Sequence, residues 1–128
     1  MSHRNHGIAK AFLVDAGFAA DAKIGELVRV NNAGKITDQA GEGNKLFFPL
    51  VEDVSIVGAV IPTKAAGVTV SGVAKVKVTT ATGITAGSKL GVSGKGAVLW
   101  TTGFVVGIAL ETPKGDGDYI PVILTPAL

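Results

Sequence analysis

Val68-Thr69-Val70-Ser71-Gly72-Val73-Ala74-Lys75-Val76-Lys77-Val78 is the stretch that decides the fold. Val68, Val70, Gly72, Ala74, Val76 and Val78 fall on one face of an extended chain, and Thr69, Ser71, Val73, Lys75 and Lys77 fall on the other. A period of two residues belongs to a β-strand, whose successive side chains point to opposite faces. The first face predicts a core side and the second a wet side. Gly72, in the middle, predicts a bend in a long curved strand of the kind that barrel and sandwich corners require.

Downstream, Ile84-Thr85-Ala86-Gly87-Ser88 reads as a turn, and Lys89 to Val92 and Ala97 to Thr101 read as a hairpin joined by Ser93-Gly94-Lys95-Gly96. Phe104 to Leu110 is apolar on both faces, with Gly107 and Ala109 keeping one side thin, which suits a central strand. Lys114-Gly115-Asp116-Gly117-Asp118 then turns the chain into a closing strand, Tyr119 to Leu124, whose Pro121 belongs at an edge or a ladder end.

Upstream, Gly25 to Val30, the turn Asn31-Asn32-Ala33-Gly34 and Lys35-Ile36-Thr37 read as another hairpin. Asp38 to Lys45 is polar and Gly-rich, a surface loop, and Leu46 to Val51 returns the chain to the core. Val54 to Ile61 reads as a buried strand ending at Pro62. The two hairpins echo each other: Gly25-x-x-Val28-x-Val30-x-x-x-Gly34-x-Ile36 has the spacing of Gly87-x-x-Leu90-x-Val92-x-x-x-Gly96-x-Val98, and each is followed by a Val-Gly pair, Val57-Gly58 and Val106-Gly107. Duplication and convergence on common hairpin chemistry both explain the match. The N-terminal stretch lacks the Gly-punctuated strand pattern; Ile8, Phe12 and Val14 alternate as in an extended segment, with a short helix as the other local reading. The expected organisation is an extended arm over 1–23 and a single β domain over 24–128 with echoed hairpin units at 24–61 and 84–124.

Composition agrees with a mainly β fold. The chain has 128 residues, 47% hydrophobic and 17% charged, with 18 glycines and 5% aromatics. That is enough apolar surface for one core and leaves little room for long helices. No apolar run approaches the ~20 residues of a membrane helix. The polar N-terminus, Met1 to His6, is followed by no hydrophobic secretion segment, which predicts residence in a cytoplasm. There is no cysteine, so no disulfide, thiol nucleophile or Cys-ligated zinc can form. The net charge of +2 is carried by scattered basic residues without a cluster, which gives little support to nucleic-acid binding.

The residues of catalysis do not assemble. His3 and His6 lie in the terminus, where a base could not be held against a substrate, and His-x-x-His alone lacks the further ligands of a metal site. Asp116-Gly117-Asp118 lacks the oxygen ligands of a calcium loop and is explained by turn chemistry. In Gly91 to Gly96 the phosphate-loop spacing fails, with Lys89 where the first glycine should be and Gly96 where the hydroxyl should be. The serines have no nucleophile elbow and no rigid histidine. No catalytic residue, metal or cofactor is expected, and the chain is not read as an enzyme. Trp100 and Tyr119, alone of their types, read as core caps, as do Phe47 and Phe48, for which a subunit contact is the alternative.

A wider pattern joins these pieces: Ala66-Gly67-Val68, Val70, Gly72-Val73, Ile84, Ala86-Gly87-Ser88, Leu90, Gly96, Val106-Gly107-Ile108-Ala109-Leu110 and Tyr119-Ile120-Pro121-Val122, with the first hairpin and Val57-Gly58-Ala59-Val60 fitting too. It resembles the head-decoration, or capsid-cementing, proteins of tailed bacteriophages. The likeness is one of glycines and small apolar residues, without a catalytic signature, and does not extend to the N-terminal arm or to Asp38–Val51. It implies a small β-barrel or β-sandwich, often a homotrimer, made in the host bacterial cytoplasm. Such proteins sit on the exterior of an expanded virion capsid and clamp neighbouring subunits of the major capsid (coat) protein. In several such proteins an N-terminal segment adds a strand to the coat, which here implies Arg4, His6, Ile8, Lys10, Phe12 and Val14 as the capsid-binding arm. The alternative is a soluble β-barrel binding module for carbohydrate or nucleic acid, and a third is a small enzyme built on paired carboxylates.

Overall fold

The computed structural model describes residues 7–18, 20–37, 46–57 and 61–124. Within them the chain forms nine strands and no helix: β1 Ile8–Leu13, β2 Leu27–Val30, β3 Ile36–Thr37, β4 Leu46–Pro49, β5 Ala65–Lys77, β6 Lys89–Ser93, β7 Gly96–Leu99, β8 Gly107–Ala109 and β9 Tyr119–Leu124. They make two antiparallel sheets, one of six strands in the order β1-β5-β9-β8-β6-β7 and one of three in the order β3-β2-β4.

β5 is the spine. Its first half, Ala65 to Ser71, pairs with β1, and its second, Gly72 to Lys77, pairs with β9. The change of partner falls at Gly72, whose φ of 87° is the left-handed conformation that a glycine adopts without steric cost. The alternation expected around it places Val68, Ala74, Val76 and Val78 in the interior, but the opposite face is wet only beyond Gly72, since Thr69 is buried.

Each half of β5 carries its own core. The first gathers Phe18, Val28, Val30, Ile36, Leu50, Val54, Ala66 and Val68, with Phe12, Val14 and Phe48 packed against it. The second gathers Ala74, Val76, Val78, Ile84, Leu90, Ala97, Val106, Ala109, Ile120 and Val122, together with Leu27 from β2. A buried Val, Leu or Ile contributes about 1.5–3 kcal/mol of transfer free energy, so both clusters are substantial terms. Single bridges link the strands around each core: Leu50 with Val68 and Val14 with Ile36 around the first, Val78 with Ala97 around the second. These junctions are not continuous ladders, so neither set of strands closes into a barrel.

The N-terminal stretch from Ile8 to Leu13 is an edge strand of the six-stranded sheet, the extended one of its two sequence readings. Val54 to Ile61, read as a buried strand, is not one among the described residues. Val54 makes an isolated bridge to Ala22, and the next N–H groups are taken by side chains, Ser55 N–H by Thr63 Oγ1 at 3.1 Å and Ile56 N–H by Asp21 Oδ1 at 2.7 Å. Residues 58–60 lie outside the described residues. The central strand expected from Phe104 shortens to β8, which does lie between β9 and β6. Pro121 sits in an interior strand, at the end of its ladder with β8, where Leu110 N–H donates to its carbonyl at 3.0 Å.

Candidate interaction surface

The faces of β5, β9 and β8 turned away from the second core carry a row of partly and fully exposed apolar side chains. Alternation puts Ala74, Val76 and Val78, Ile120, Val122 and Leu124, and Gly107 and Ala109 inward, so the residues between them point out. Register then sets them side by side: Val73 is paired with Ile123, Ile123 with Ile108, and Ile108 with Lys89 of β6. A second row follows from Lys75 paired with Pro121. Leu110 stands beside Pro121 through the hydrogen bond between them. Directly opposed side chains in antiparallel strands lie close enough to form one surface. Ile123 is 43% and Leu110 41% exposed, high for large apolar residues.

Lysines rim this surface. Lys75 is exposed on the second row, and Lys89 closes the first, its ammonium 4.5 Å from the centre of the Trp100 ring. Cation–π contact of this kind holds a charge on an aromatic face without a carboxylate partner. Trp100 is therefore not the core cap expected of it. It is half-buried at the end of the apolar row, with its indole N–H donating to Gly103 O at 3.1 Å. Tyr119 is likewise exposed, next to Lys77 on the same side.

A recess of about 500 Å³ lies beside the junction of the two units, lined by Glu26, Lys77, Lys95 and Asp116 among others. Its charges are already engaged. Glu26, 8% exposed at its side chain, holds Lys77 at 3.1 Å and accepts the Lys23 N–H at 2.7 Å. Asp116 accepts Ala81 N–H at 2.8 Å, and the Lys95 ammonium donates to Asp21 O at 2.8 Å. These are structural ties rather than groups aimed at a ligand. Among the described residues no three His, Cys, Asp or Glu side chains cluster as a metal site.

The residues singled out in the sequence part company. Arg4 and His6, with His3, lie outside the described residues. Ile8, 66% exposed, and Lys10 point away from the cores, whereas Phe12 and Val14 pack against the first one. Phe48 packs there too, and Phe47 stacks on Phe104 with ring centres 5.6 Å apart, so both have partners within the chain. Asp116-Gly117-Asp118 is a turn, Asp118 accepting the N–H groups of Lys114 and Tyr119, each at 2.9 Å. The apolar rows escaped sequence reading because their adjacency is a property of strand pairing; the local signal was only that Val73 interrupts the face expected to be wet and that Phe104 to Leu110 is apolar on both faces. No protein family, curated protein or solved structure matches this chain.

Proposed function

We propose that this chain is a structural protein of a phage capsid exterior, a decoration-type knob that binds coat subunits of an expanded shell and holds neighbours together. The observation that carries the reading is the sheet face Val73–Ile123–Ile108 with Lys75 and Lys89 at its rim, apolar side chains that strand register sets side by side rather than scattered singly. A surface of this kind suits an apolar coat patch bordered by carboxylates. The two antiparallel sheets, bridged at single residues around each core, are compatible with a small β-rich knob of the decoration type. Binding by such a knob gains from multivalency, since each contact after the first is effectively intramolecular on a lattice.

Within this reading the N-terminal anchor shrinks. Phe12 and Val14 are tied to the first core, so of the described arm residues Ile8 and Lys10, both exposed, are the ones that can contact a coat subunit without dismantling the sheet. The test is co-sedimentation and imaging with expanded, emptied phage heads. The wild type should decorate regular lattice points; Ile123→Glu with Ile108→Glu should abolish decoration while far-ultraviolet dichroism stays unchanged, and deletion of residues 2–6 should weaken it. Bare shells with the wild type would end the capsid reading. Full decoration by the double variant would remove the sheet face from it.

A further inference from the structure

The chain is built twice around its central strand, hydrogen bond by hydrogen bond. Val14 N–H donates to Lys64 O as Val78 N–H does to Asp118 O, and Asp15 N–H donates to Ile36 O as Thr79 N–H does to Ala97 O. Gly25 N–H donates to Leu50 O and Leu50 N–H to Glu26 O, as Gly87 N–H does to Ala109 O and Ala109 N–H to Ser88 O. Even the side-chain caps recur, Lys23 N–H to Glu26 Oε1 and Thr85 N–H to Ser88 Oγ. In strand terms β1, β2, β3, β4 and the first half of β5 repeat as the second half of β5, β6, β7, β8 and β9. The strand standing where β8 stands is thus β4 and not the segment at Val57, and the two turns differ, since Val30 pairs with Ile36 but Val92 with Ala97.

The first unit docks on the second through the backbone of its Gly25–Leu27 segment, beside the Lys95 ammonium on Asp21 O and the Phe47 ring against Phe104. Lys77 N–H, on the side of β5 facing away from β9, donates to Gly25 O at 2.8 Å, and Leu27 N–H donates to Lys95 O at 2.7 Å. Gly25, at φ 89°, lies so close that a Cβ there would stand 2.8 Å from the Tyr119 ring. By the repeat, Lys77 corresponds to Leu13 and Gly25 to Gly87. Leu13 is 59% exposed, and its backbone N–H faces away from β5, because the hydrogen-bonded pair is the next one, Val14 with Lys64. Gly87 keeps the left-handed φ, 94°, with open space in its Cβ direction. Each end of the molecule therefore presents one half of its own internal joint.

We propose that copies of this chain associate head to tail, the Gly87-Ser88-Lys89 segment of one copy lying along the outer edge of β1 of the next, as Gly25-Glu26-Leu27 lies along β5 within a copy. The substitutions at the two ends match as a pair. Where the internal joint has Glu26 against Lys77, the ends have Ser88 against Leu13, so at this position neither side carries a charge. Lys89 stands where Leu27 is buried, so the contact between copies lacks the internal apolar anchor and is reversible. A heterologous contact of this kind closes into a ring or runs on as a chain, and cannot stop at a symmetric dimer.

Analytical ultracentrifugation tests this without any capsid, so its failure and that of the capsid reading are separate results. The wild type should exceed its 12.9 kDa monomer mass as concentration rises to millimolar. Leu13→Pro deletes the outward N–H and leaves the β1–β5 ladder intact, and Gly87→Asn keeps the left-handed backbone but blocks close approach. Each variant alone should be monomeric, and an equimolar mixture should form complexes of two and no larger, since each supplies the half the other lacks. Should Leu13→Pro fail to fold, Ala11→Arg on the same exposed strand takes its place. A monomeric wild type, variants that still associate, or a mixture that stays monomeric would each overturn the proposal.

Discussion

At the scale of single residues, the glycines with the least room are the ones to probe. A Cβ on Gly107 of β8 would run into the backbone carbonyl of Ile123 and stand 2.9 Å from Val122 Cγ1, and neither can yield without moving β9. Gly107→Ala should therefore lower the unfolding free energy by about 3 kcal/mol, the upper end of ordinary overpacking costs. Gly115→Ala, with nothing near its Cβ, should stay within about 0.5 kcal/mol of the wild type in the same urea titration. Asp118 offers a pH readout. The hydrogen bond from Lys114 N–H, then that from Tyr119 N–H, holds its carboxyl below the ordinary 3.8. A depressed value in the folded state means stability that is present above the unfolded value and lost as pH falls through the folded one. Asp118→Asn should lower the melting temperature at neutral pH, with the gap to the wild type closing below about pH 4. A gap constant across that range would remove the charged form from the account.

Among the elements, the junction of β2 with β5 carries the sharpest expectation. Lys77→Ala leaves the Glu26 carboxylate, 8% exposed, with the Lys23 N–H as its one remaining donor among the described residues. The expected cost is about 1–3 kcal/mol, the penalty for a buried polar group that loses a partner. Pairing the change with Glu26→Gln should recover part of it in a double-mutant cycle, whereas additive losses would mean that the two side chains do not act together. The elements legible in the sequence were those whose own residues fix them. The β5 alternation and the Asn31 and Ser93 turns needed nothing distant, and both hairpins formed. Val54 to Ile61 misled because an apolar run states only what would be buried, while the backbone partners came from Asp21 and Thr63. The burial of Thr69 also went unseen, since composition cannot tell that the first half of β5 is covered on both sides.

For the whole molecule, the mainly β character was legible in the sequence, but neither the surface nor the joint was. The rows beside Ile123 depend on which strands become neighbours, and the repeat was visible only as matching hairpin spacings until the hydrogen bonds were compared. The same joint governs how the molecule unfolds. β5 belongs to both cores, and Leu27, borne by β2 of the first unit, is buried among Val76, Leu90 and Ile120 of the second. Neither unit can open without exposing apolar surface of the other, so unfolding should be a single transition. Trp100, the one tryptophan, reports on the second unit, while far-ultraviolet dichroism reports on all strands. The two signals should share one urea midpoint, and Leu27→Ala should move both together by about 2–5 kcal/mol, as a large-to-small change in a packed core does. A variant in which the dichroism transition splits while the Trp100 midpoint holds would show two independent units, and would place the burial of Leu27 outside the forces that join them.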